Sequence, residues 1–156
     1  MDIKKLQAQL EIDEGVRYYV YLDSLSKPTF GIGHLLLKSD PEYAPFTALA
    51  KGQKLSVSKE RVAAVFAKDC QSVLVDCKRW LSGFEAYPEE VQQIVSNMMF
   101  NLGLPNMNKI FPVLKTLLVA KNYKQAAREM LYKKNGDPKS GERRWVVQVG
   151  NRARRL

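Results

Sequence analysis

The chain has 156 residues, 46% of them hydrophobic and 26% charged, which is typical of one globular domain and argues against a disordered chain. Lysine and arginine exceed aspartate and glutamate by nine, an excess that favours an anionic partner such as nucleic acid, a membrane surface or an acidic wall polymer. No apolar run approaches the ~20 residues of a membrane span, and no secretory signal is expected.

The first third of the sequence alternates between helical and strand patterns. An apolar residue at every third or fourth position predicts an amphipathic helix over residues 2–12. Residues 17–22 are aromatic and β-branched and predict a strand, and residues 29–33 predict a second one. Gly31 and Gly33 within this second strand indicate a bulge or a close approach of backbone to a neighbour.

The rest of the chain is predicted to be mostly helical. Apolar residues at steps of four, four, three, four and three predict one long helix over residues 59–81, with Ser58 as its N-cap. Pro88 at a first helical position and Gly103 at an end define the next helix. The remaining predicted segments are a loop with a short helix over 38–54, helices over 108–120 and 122–134, a break over 135–141 and a short basic helix over 142–156.

The two cysteines, Cys70 and Cys77, lie seven residues apart on the predicted long helix. This spacing is a rise of ~10 Å, beyond the ~7 Å between Cα atoms that a disulfide tolerates. With a single histidine in the chain they also make a poor zinc set. Both are predicted to be reduced and buried.

The acidic residues near the start of the chain are candidates for chemistry. Glu14 lies where the first helix should end, Asp23 follows the first strand, and Thr29 begins the second. A hairpin would bring Asp23 and Thr29 together, with its open face towards Glu14. Two carboxylates on separate elements are what glycosidic hydrolysis needs, and a threonine hydroxyl can hold a water. Taken alone, this pattern leaves solvated or capping carboxylates as the competing interpretation.

Four sequence blocks carry a resemblance to a known family. They are IDEG at 12–15, Tyr21-x-Asp23 followed by TFGIGH at 29–34, NMMFNLG at 97–103, and the Trp-x-x-Gln-x-x-Asn-Arg-Ala-x-Arg pattern at 145–155. In these blocks and their order the chain resembles the T-even-type phage lysozymes (endolysins) of glycoside hydrolase family 24. The resemblance spans nearly the whole chain.

The resemblance implies an α+β, two-lobed lysozyme-like fold in which residues 1–156 form one domain. The small N-terminal lobe with the β-hairpin comprises residues 13–58, and the long helix 59–81 joins it to the helical lobe. The helical lobe comprises residues 82–156 together with the first helix, 2–12.

The family also implies an activity, the inverting hydrolysis of the β-1,4 bond between N-acetylmuramic acid and N-acetylglucosamine in bacterial peptidoglycan, with no metal or organic cofactor. By this resemblance Glu14 is the general acid, and Asp23 with Thr29 positions the attacking water. The further residues implied are Leu35 and Phe100 as sugar contacts, and His34, Trp145, Gln148 and Arg152 as supporting residues, Arg152 pairing with Glu14.

The expected partner is peptidoglycan, and neither nucleic acid nor stable membrane insertion is expected; the chain is expected to be monomeric. Accumulation in the host cytoplasm is expected, followed by release through a separate membrane pore and action on the periplasmic wall. A wall-binding or toxin-type module with this fold and little catalysis is the alternative. A nucleic-acid-binding protein is suggested by charge alone, and no zinc finger, RNP or helix-turn-helix pattern supports it.

The hairpin turn departs from the family pattern. Residues 24–28 lack the glycine usual there, and Pro28 directly precedes Thr29. Proline restricts Lys27 to extended conformations and supplies no backbone N–H. We therefore expect the orientation of Thr29 to depend on this turn.

Overall fold

The computed structural model describes residues 1–149, and it is a mixed α+β structure. Its strands are β1 (Arg17–Leu22), β2 (Pro28–Gly31) and β3 (His34–Leu35). Its helices are α1 (Ile3–Glu14), α2 (Tyr43–Thr47), α3 (Lys59–Trp80), α4 (Glu89–Ile110), α5 (Pro112–Val119), α6 (Tyr123–Leu131), α7 (Lys133–Gly136) and α8 (Arg144–Val149), with short 3₁₀ turns at Phe84–Ala86 and Pro138–Ser140. The chain divides into two compact units, residues 2–72 and Met1 with the residues from Val73 onwards.

The unit formed by residues 2–72 contains a three-stranded antiparallel sheet in the order β1-β2-β3. Thr29 occupies the centre of this sheet, opposite Tyr21 on one side and Leu35 on the other. The register between β1 and β2 is irregular between Arg17 and Tyr21. Such an irregularity is typical of a β-bulge, in which one strand has an extra residue.

The predicted first helix and first strand are confirmed, and the second strand is shorter than predicted. It ends at Gly31, because the positive φ values of Gly31 and Gly33 turn the chain into β3. Helix α1 clusters with the sheet in the unit of residues 2–72, whereas the resemblance implies a grouping of residues 2–12 with the helical lobe. Gln7 of α1 is hydrogen-bonded to the Cys70 thiol within that unit.

The long helix α3 is confirmed almost to the residue. Ser58 Oγ accepts a hydrogen bond from the Arg61 N–H (3.1 Å), so the predicted N-cap is present. Both cysteines are free and buried, as predicted. Burial raises the pKa of the Cys70 thiol to about 11 and that of Cys77 to about 12, so both are protonated near neutral pH.

The second unit is helical, and its buried core is built from side chains of the segments after Val73. Its largest fully buried members are Trp80, Phe111, Leu81, Met98, Met99 and Met107. Among residues 1–149, no helix is long and apolar enough to cross a membrane.

The helix boundaries in this unit differ from the predicted ones. Pro88 is the N-cap of α4 rather than its first helical residue. Gly103 (φ 74°, ψ 158°) interrupts α4 rather than ending it, because helical residues resume beyond it and continue to Ile110. Phe111 (φ −122°) then separates α4 from α5.

The prediction of a plain break over residues 135–141 is wrong. Helix α7 runs into this segment and the 3₁₀ turn Pro138–Ser140 follows it. The Asp137 side chain caps that turn by accepting from the Lys139 N–H (3.0 Å). Local side-chain capping of this kind orders segments that composition alone marks as loops.

A buried ion pair joins α6 to the segment that follows the 3₁₀ turn. Glu129 is 2% exposed and its carboxylate pairs with the Arg143 guanidinium. Arg143 Nε also donates to the Glu129 carbonyl (2.7 Å), and the guanidinium lies 5.0 Å from the centroid of the Phe111 ring. A buried carboxylate requires such compensation for its lost hydration.

Candidate active site

Glu14 lies at the end of α1, where the helix is stopped by Gly15. Gly15 has φ 69° and donates its N–H to the Glu11 carbonyl at 2.9 Å. A glycine in this position ends a helix without the steric penalty that a side chain would incur. The stop leaves the half-buried Glu14 side chain at the junction between α1 and the sheet.

The backbone of the turn between β2 and β3 approaches the Glu14 carboxylate closely. A Cβ placed on Gly33 (φ 66°) would lie 3.0 Å from Glu14 Oε2 and 3.1 Å from its carboxyl carbon. A Cβ on Gly31 (φ 63°) would similarly lie 3.0 Å from a methyl of Val62. The predicted close backbone approach at these two glycines is therefore confirmed, and one of the neighbours is the candidate general acid.

Asp23 is held by the backbone of the hairpin turn. Its Oδ1 accepts hydrogen bonds from the N–H groups of Leu25 (2.8 Å) and Lys27 (2.9 Å), and its own N–H donates to the Lys27 carbonyl (2.9 Å). These bonds hold the carboxylate in a fixed orientation relative to the turn. Ser26, with φ 59°, adopts the left-handed conformation that a glycine would otherwise supply.

Thr29 keeps a regular place in the sheet despite the proline before it. Pro28 is the first residue of β2, opposite Leu22, and its carbonyl accepts from the Leu36 N–H (2.9 Å). Proline is tolerated at the first residue of a strand. Thr29 itself is buried, and its hydroxyl donates to the Lys27 carbonyl at 3.1 Å.

Tyr21 of β1 lies opposite Thr29 in the sheet and two residues before Asp23 in the chain. Burial raises the pKa of the Tyr21 phenol, Arg17 opposes this rise, and the negative charges of Glu14 and Asp23 add to it. Glu14, Asp23 and the hairpin all belong to the unit formed by residues 2–72.

His34 lies in β3 between two carboxylates. Its Nδ1 is 2.7 Å from Asp69 Oδ2 and its Nε2 is 3.0 Å from Asp40 Oδ2. Burial alone would lower the pKa of His34, but the hydrogen bonds and charges of the two aspartates outweigh it and raise the pKa. Arg61 joins the network, at 3.3 Å from Asp40 and 2.7 Å from Glu42. Both ring nitrogens are thus occupied by protein partners.

The two predicted sugar contacts belong to different units of the structure. Leu35, in β3, is 43% exposed. Phe100, in α4, is partly buried and packs against the core of the helical unit. Their role as sugar contacts stays a prediction.

The three supporting residues near the end of the chain are described to different extents. Trp145 is 3% exposed, its indole N–H donates to Asn101 Oδ1 at 2.9 Å, and its ring meets Phe111 edge to face. Gln148 belongs to α8, but its side chain lies outside the described part of the chain. Arg152 and its predicted pairing with Glu14 lie outside the described residues.

Sequence reasoning missed Asp40 and Asp69 as the partners of the single histidine. Asp69 directly precedes the buried Cys70 on α3. A carboxylate next to the apolar stripe of this helix is the one sequence signal that could have indicated its role. No comparable signal marks Asp40, whose role depends on the path of the loop. Among residues 1–149, no group of three or more histidine, cysteine, aspartate or glutamate side chains is placed to hold a metal ion.

The structure is a lysozyme-like α+β fold. It combines a small antiparallel sheet with a turn-fixed aspartate, a helix-terminal glutamate against a glycine backbone, and a helical unit. Comparison with family models agrees, since residues 11–155 match the model described as phage lysozyme. The chain belongs to the phage lysozyme family, which makes it a lysozyme-type glycoside hydrolase.

Curated relatives are distant. The chain is 25% identical to "Probable T4-type lysozyme 2" and to "Probable T4-type lysozyme 1" of Dictyostelium discoideum, in each case over 99% of this chain and 92% of the relative. It is 26% identical to the "Pre-baseplate central spike protein Gp5" of Enterobacteria phage T4, over 91% of this chain. The chain corresponds to only 27% of the length of that spike protein.

Proposed function

We propose that the protein is a muramidase that cleaves the β-1,4 bond between N-acetylmuramic acid and N-acetylglucosamine in bacterial peptidoglycan. The observation that carries the proposal is the placement of Glu14 against the Gly33 backbone, in the same unit as the turn-held carboxylate of Asp23. Family membership supplies the class of substrate.

Glu14 acts in this proposal as the general acid that gives a proton to the leaving glycosidic oxygen. Cleavage of the bond between the anomeric carbon and that oxygen needs a proton on the oxygen as the electron pair moves to it. The Gly33 backbone borders the Glu14 carboxyl on one side, since even a Cβ on Gly33 would lie only 3.0 Å from Oε2. Such a fixed donor loses less conformational freedom in the transition state.

Asp23 acts as the base that orients and activates the attacking water. Two backbone N–H groups hold one of its oxygens, so the carboxylate can direct its other oxygen at a water. Thr29 adds a hydroxyl that accepts a hydrogen bond from this water while donating to the Lys27 carbonyl. Water attacks the face opposite the leaving group, so the configuration at the anomeric carbon inverts.

The test is product release from purified peptidoglycan sacculi. We expect the wild type to release fragments with new N-acetylmuramic acid reducing ends, and Glu14→Gln and Asp23→Asn to release at least about 100-fold less, the lower end of what general acid–base groups contribute. Glu11→Gln is the matched control, because Glu11 is an exposed glutamate one turn earlier on α1. Equal activity of wild type and Glu14→Gln would refute the proposal.

The stereochemical course is a separate test. An NMR spectrum taken immediately after cleavage is expected to show the α anomer of the new reducing end, because the scissile bond is β and a single displacement inverts it. The β anomer as first product would require a covalent intermediate and another role for Asp23.

The biological setting follows from the same proposal. We infer that the protein lyses a bacterial host after reaching the periplasmic wall from the cytoplasm through a separate membrane pore. The net charge of +9 supports the attraction to an anionic wall. It also favours the second candidate, a wall-binding module with this fold and little catalysis, which predicts full wall binding and no release of reducing ends.

A further inference from the structure

Strand β1 and the segment beside it carry two tyrosine rings and two cations, named here the tyrosine–cation strip (Arg17, Tyr19, Tyr21 and Lys54). The rings of Tyr19 and Tyr21 meet edge to face, with centroids 6.3 Å apart. The Lys54 Nζ lies 4.5 Å from the Tyr19 centroid, and the Arg17 Cζ lies 4.3 Å from the Tyr21 centroid. A cation over a ring face is attracted by the ring quadrupole, so each cation has a preferred position.

The backbone fixes the position of Lys54 relative to the strand. The segment that follows Lys54 pairs with β1, since the Val20 N–H donates to the Leu55 carbonyl and the Val57 N–H donates to the Tyr18 carbonyl, both at 2.9 Å. Lys54 is therefore anchored at the end of a paired segment rather than at the tip of a free loop.

The strip adjoins the candidate catalytic carboxylates. Tyr21 lies two residues before Asp23 and opposite Thr29 in the sheet, and Arg17 follows Glu14 by three residues. The strip thus lies on the strand that connects the two carboxylates in the chain.

Both cations of the strip are available to an anion. Arg17 and Lys54 are exposed, and the ion pairs found among residues 1–149 include neither of them. Arg61 and Arg143, in contrast, are each paired with carboxylates. Each of the two cations thus rests on a tyrosine ring and keeps its charge for a further partner.

We propose that the tyrosine–cation strip binds carboxylates on the peptide substituents of the glycan strand, and so sets how the strand lies across the site. The identity of this ligand rests on the proposed function. Each muramic acid residue of a peptidoglycan strand can carry a short peptide with free carboxylates. A strand with its scissile bond at Glu14 and Asp23 places a neighbouring substituent beside the site, within reach of Arg17 and Lys54.

The test is a binding measurement in which turnover plays no part. All variants are made in the Glu14→Gln background and cosedimented with purified sacculi, either native or with their carboxylates converted to neutral amides. We expect Arg17→Gln/Lys54→Gln to weaken binding to native sacculi by about fivefold, as for two exposed ion pairs, and to leave binding to amidated sacculi unchanged. The difference on native sacculi should shrink at high salt, which screens exposed charges.

The matched control is Lys59→Gln/Lys68→Gln, because both lysines are exposed on α3 and lie outside the strip, Lys59 at 5.8 Å from the Tyr18 ring. It removes the same amount of charge from the same unit and should bind native sacculi as the parent does. Arg17→Lys/Lys54→Arg keeps both charges and should restore most of the binding.

Two results would overturn the inference. One is unchanged binding of Arg17→Gln/Lys54→Gln to native sacculi. The other is an equal loss on native and amidated sacculi, which would indicate stacking on sugar rings or damage to the fold. Binding is measured in the Glu14→Gln background, without catalysis. The binding result can therefore be interpreted even if the wild type does not hydrolyse sacculi.

Discussion

The Cα of Gly33 lies directly against the carboxyl group of Glu14, so that a methyl group at residue 33 would come within 3.0 Å of Oε2. Glycine is therefore required at residue 33 for two reasons. It adopts the positive φ of 66° in the turn into β3, and it leaves space for the glutamate side chain. The position of the candidate general acid depends on the absence of a side chain in a different element.

Gly33→Ala is expected to lower both stability and activity. The left-handed backbone of an alanine costs about 1–2 kcal/mol, and the new methyl group displaces the Glu14 carboxyl. We expect kcat on purified sacculi to fall by about tenfold or more, since misplaced catalytic groups lose the advantage of orientation.

Gly52→Ala separates these two effects. Gly52 has a φ of 86°, but a Cβ there would meet nothing within 4 Å. The variant should therefore lose a similar amount of unfolding free energy while keeping its kcat. If Gly33→Ala and Gly52→Ala had the same kcat, the contact with Glu14 would have no catalytic consequence.

Ser26→Gly is expected to stabilise the protein. Ser26 is exposed and has φ 59°, a conformation that costs a non-glycine residue more than it costs glycine. Glycine relieves this backbone strain but has more conformational entropy to lose on folding. The net gain in unfolding free energy is expected to be about 0.5–1 kcal/mol. Urea unfolding measures it, and a loss of stability would show that the serine side chain contributes more than the strain costs.

His34 and its two aspartates make stability depend on pH. Because the pKa of folded His34 is raised above 6.5, its contribution is complete below about pH 6.5 and is lost as the pH rises through the folded value. The pKa of Asp40 is lowered from 3.8, since hydrogen bonds from His34 and Leu37 outweigh its burial, so its contribution is lost only as the pH falls through the folded value.

The corresponding experiment compares wild type with His34→Gln by urea unfolding from about pH 5 to about pH 9, the range in which histidine titrates. The advantage of the wild type should be largest at the acidic end of this range and should shrink towards the alkaline end. A difference in unfolding free energy that stayed constant across the range would contradict the assigned ion pairs.

Arg143→Gln is expected to destabilise the helical unit strongly. It leaves the Glu129 carboxylate buried without its cation, a change that typically costs about 3–5 kcal/mol. Arg79→Gln is the control, because the Arg79–Asp76 pair is exposed and such pairs contribute about 1 kcal/mol or less. Similar losses of unfolding free energy in the two variants would show that the Glu129 pair is not effectively buried.

Both cysteines are expected to be inert in the folded protein. Burial keeps Cys70 and Cys77 as thiols, and the thiolate is the reactive form. A thiol-specific disulfide reagent should label neither residue at neutral pH and should label both after denaturation. Rapid labelling of the native protein would contradict their burial.

The local pattern of the sequence predicted those elements whose shape depends on near neighbours. The apolar stripe of α3, the capping of that helix by Ser58, and the two close-packed glycines of the hairpin region are examples. Each follows from steric or hydrogen-bonding rules that act over a few residues.

Features that depend on distant partners were not predictable in the same way. The aspartates that hold His34 come from a loop and from a helix 35 residues further along the chain. The kink at Gly103 was predicted as a helix end, because a glycine gives the same local signal whether or not helical residues resume beyond it. The family resemblance supplied the roles of Glu14, Asp23 and Thr29, which spacing alone had left open.

The most direct test of the central claim is the loss of turbidity of outer-membrane-permeabilised Gram-negative cells, with wild type and Glu14→Gln compared at equal concentration. Hydrolysis by Glu14 predicts that the wild type clears the suspension and that Glu14→Gln does not, although it binds the wall equally well. Clearing by both proteins would show that charge rather than catalysis lyses the cells, and would contradict the assignment of Glu14 as the general acid.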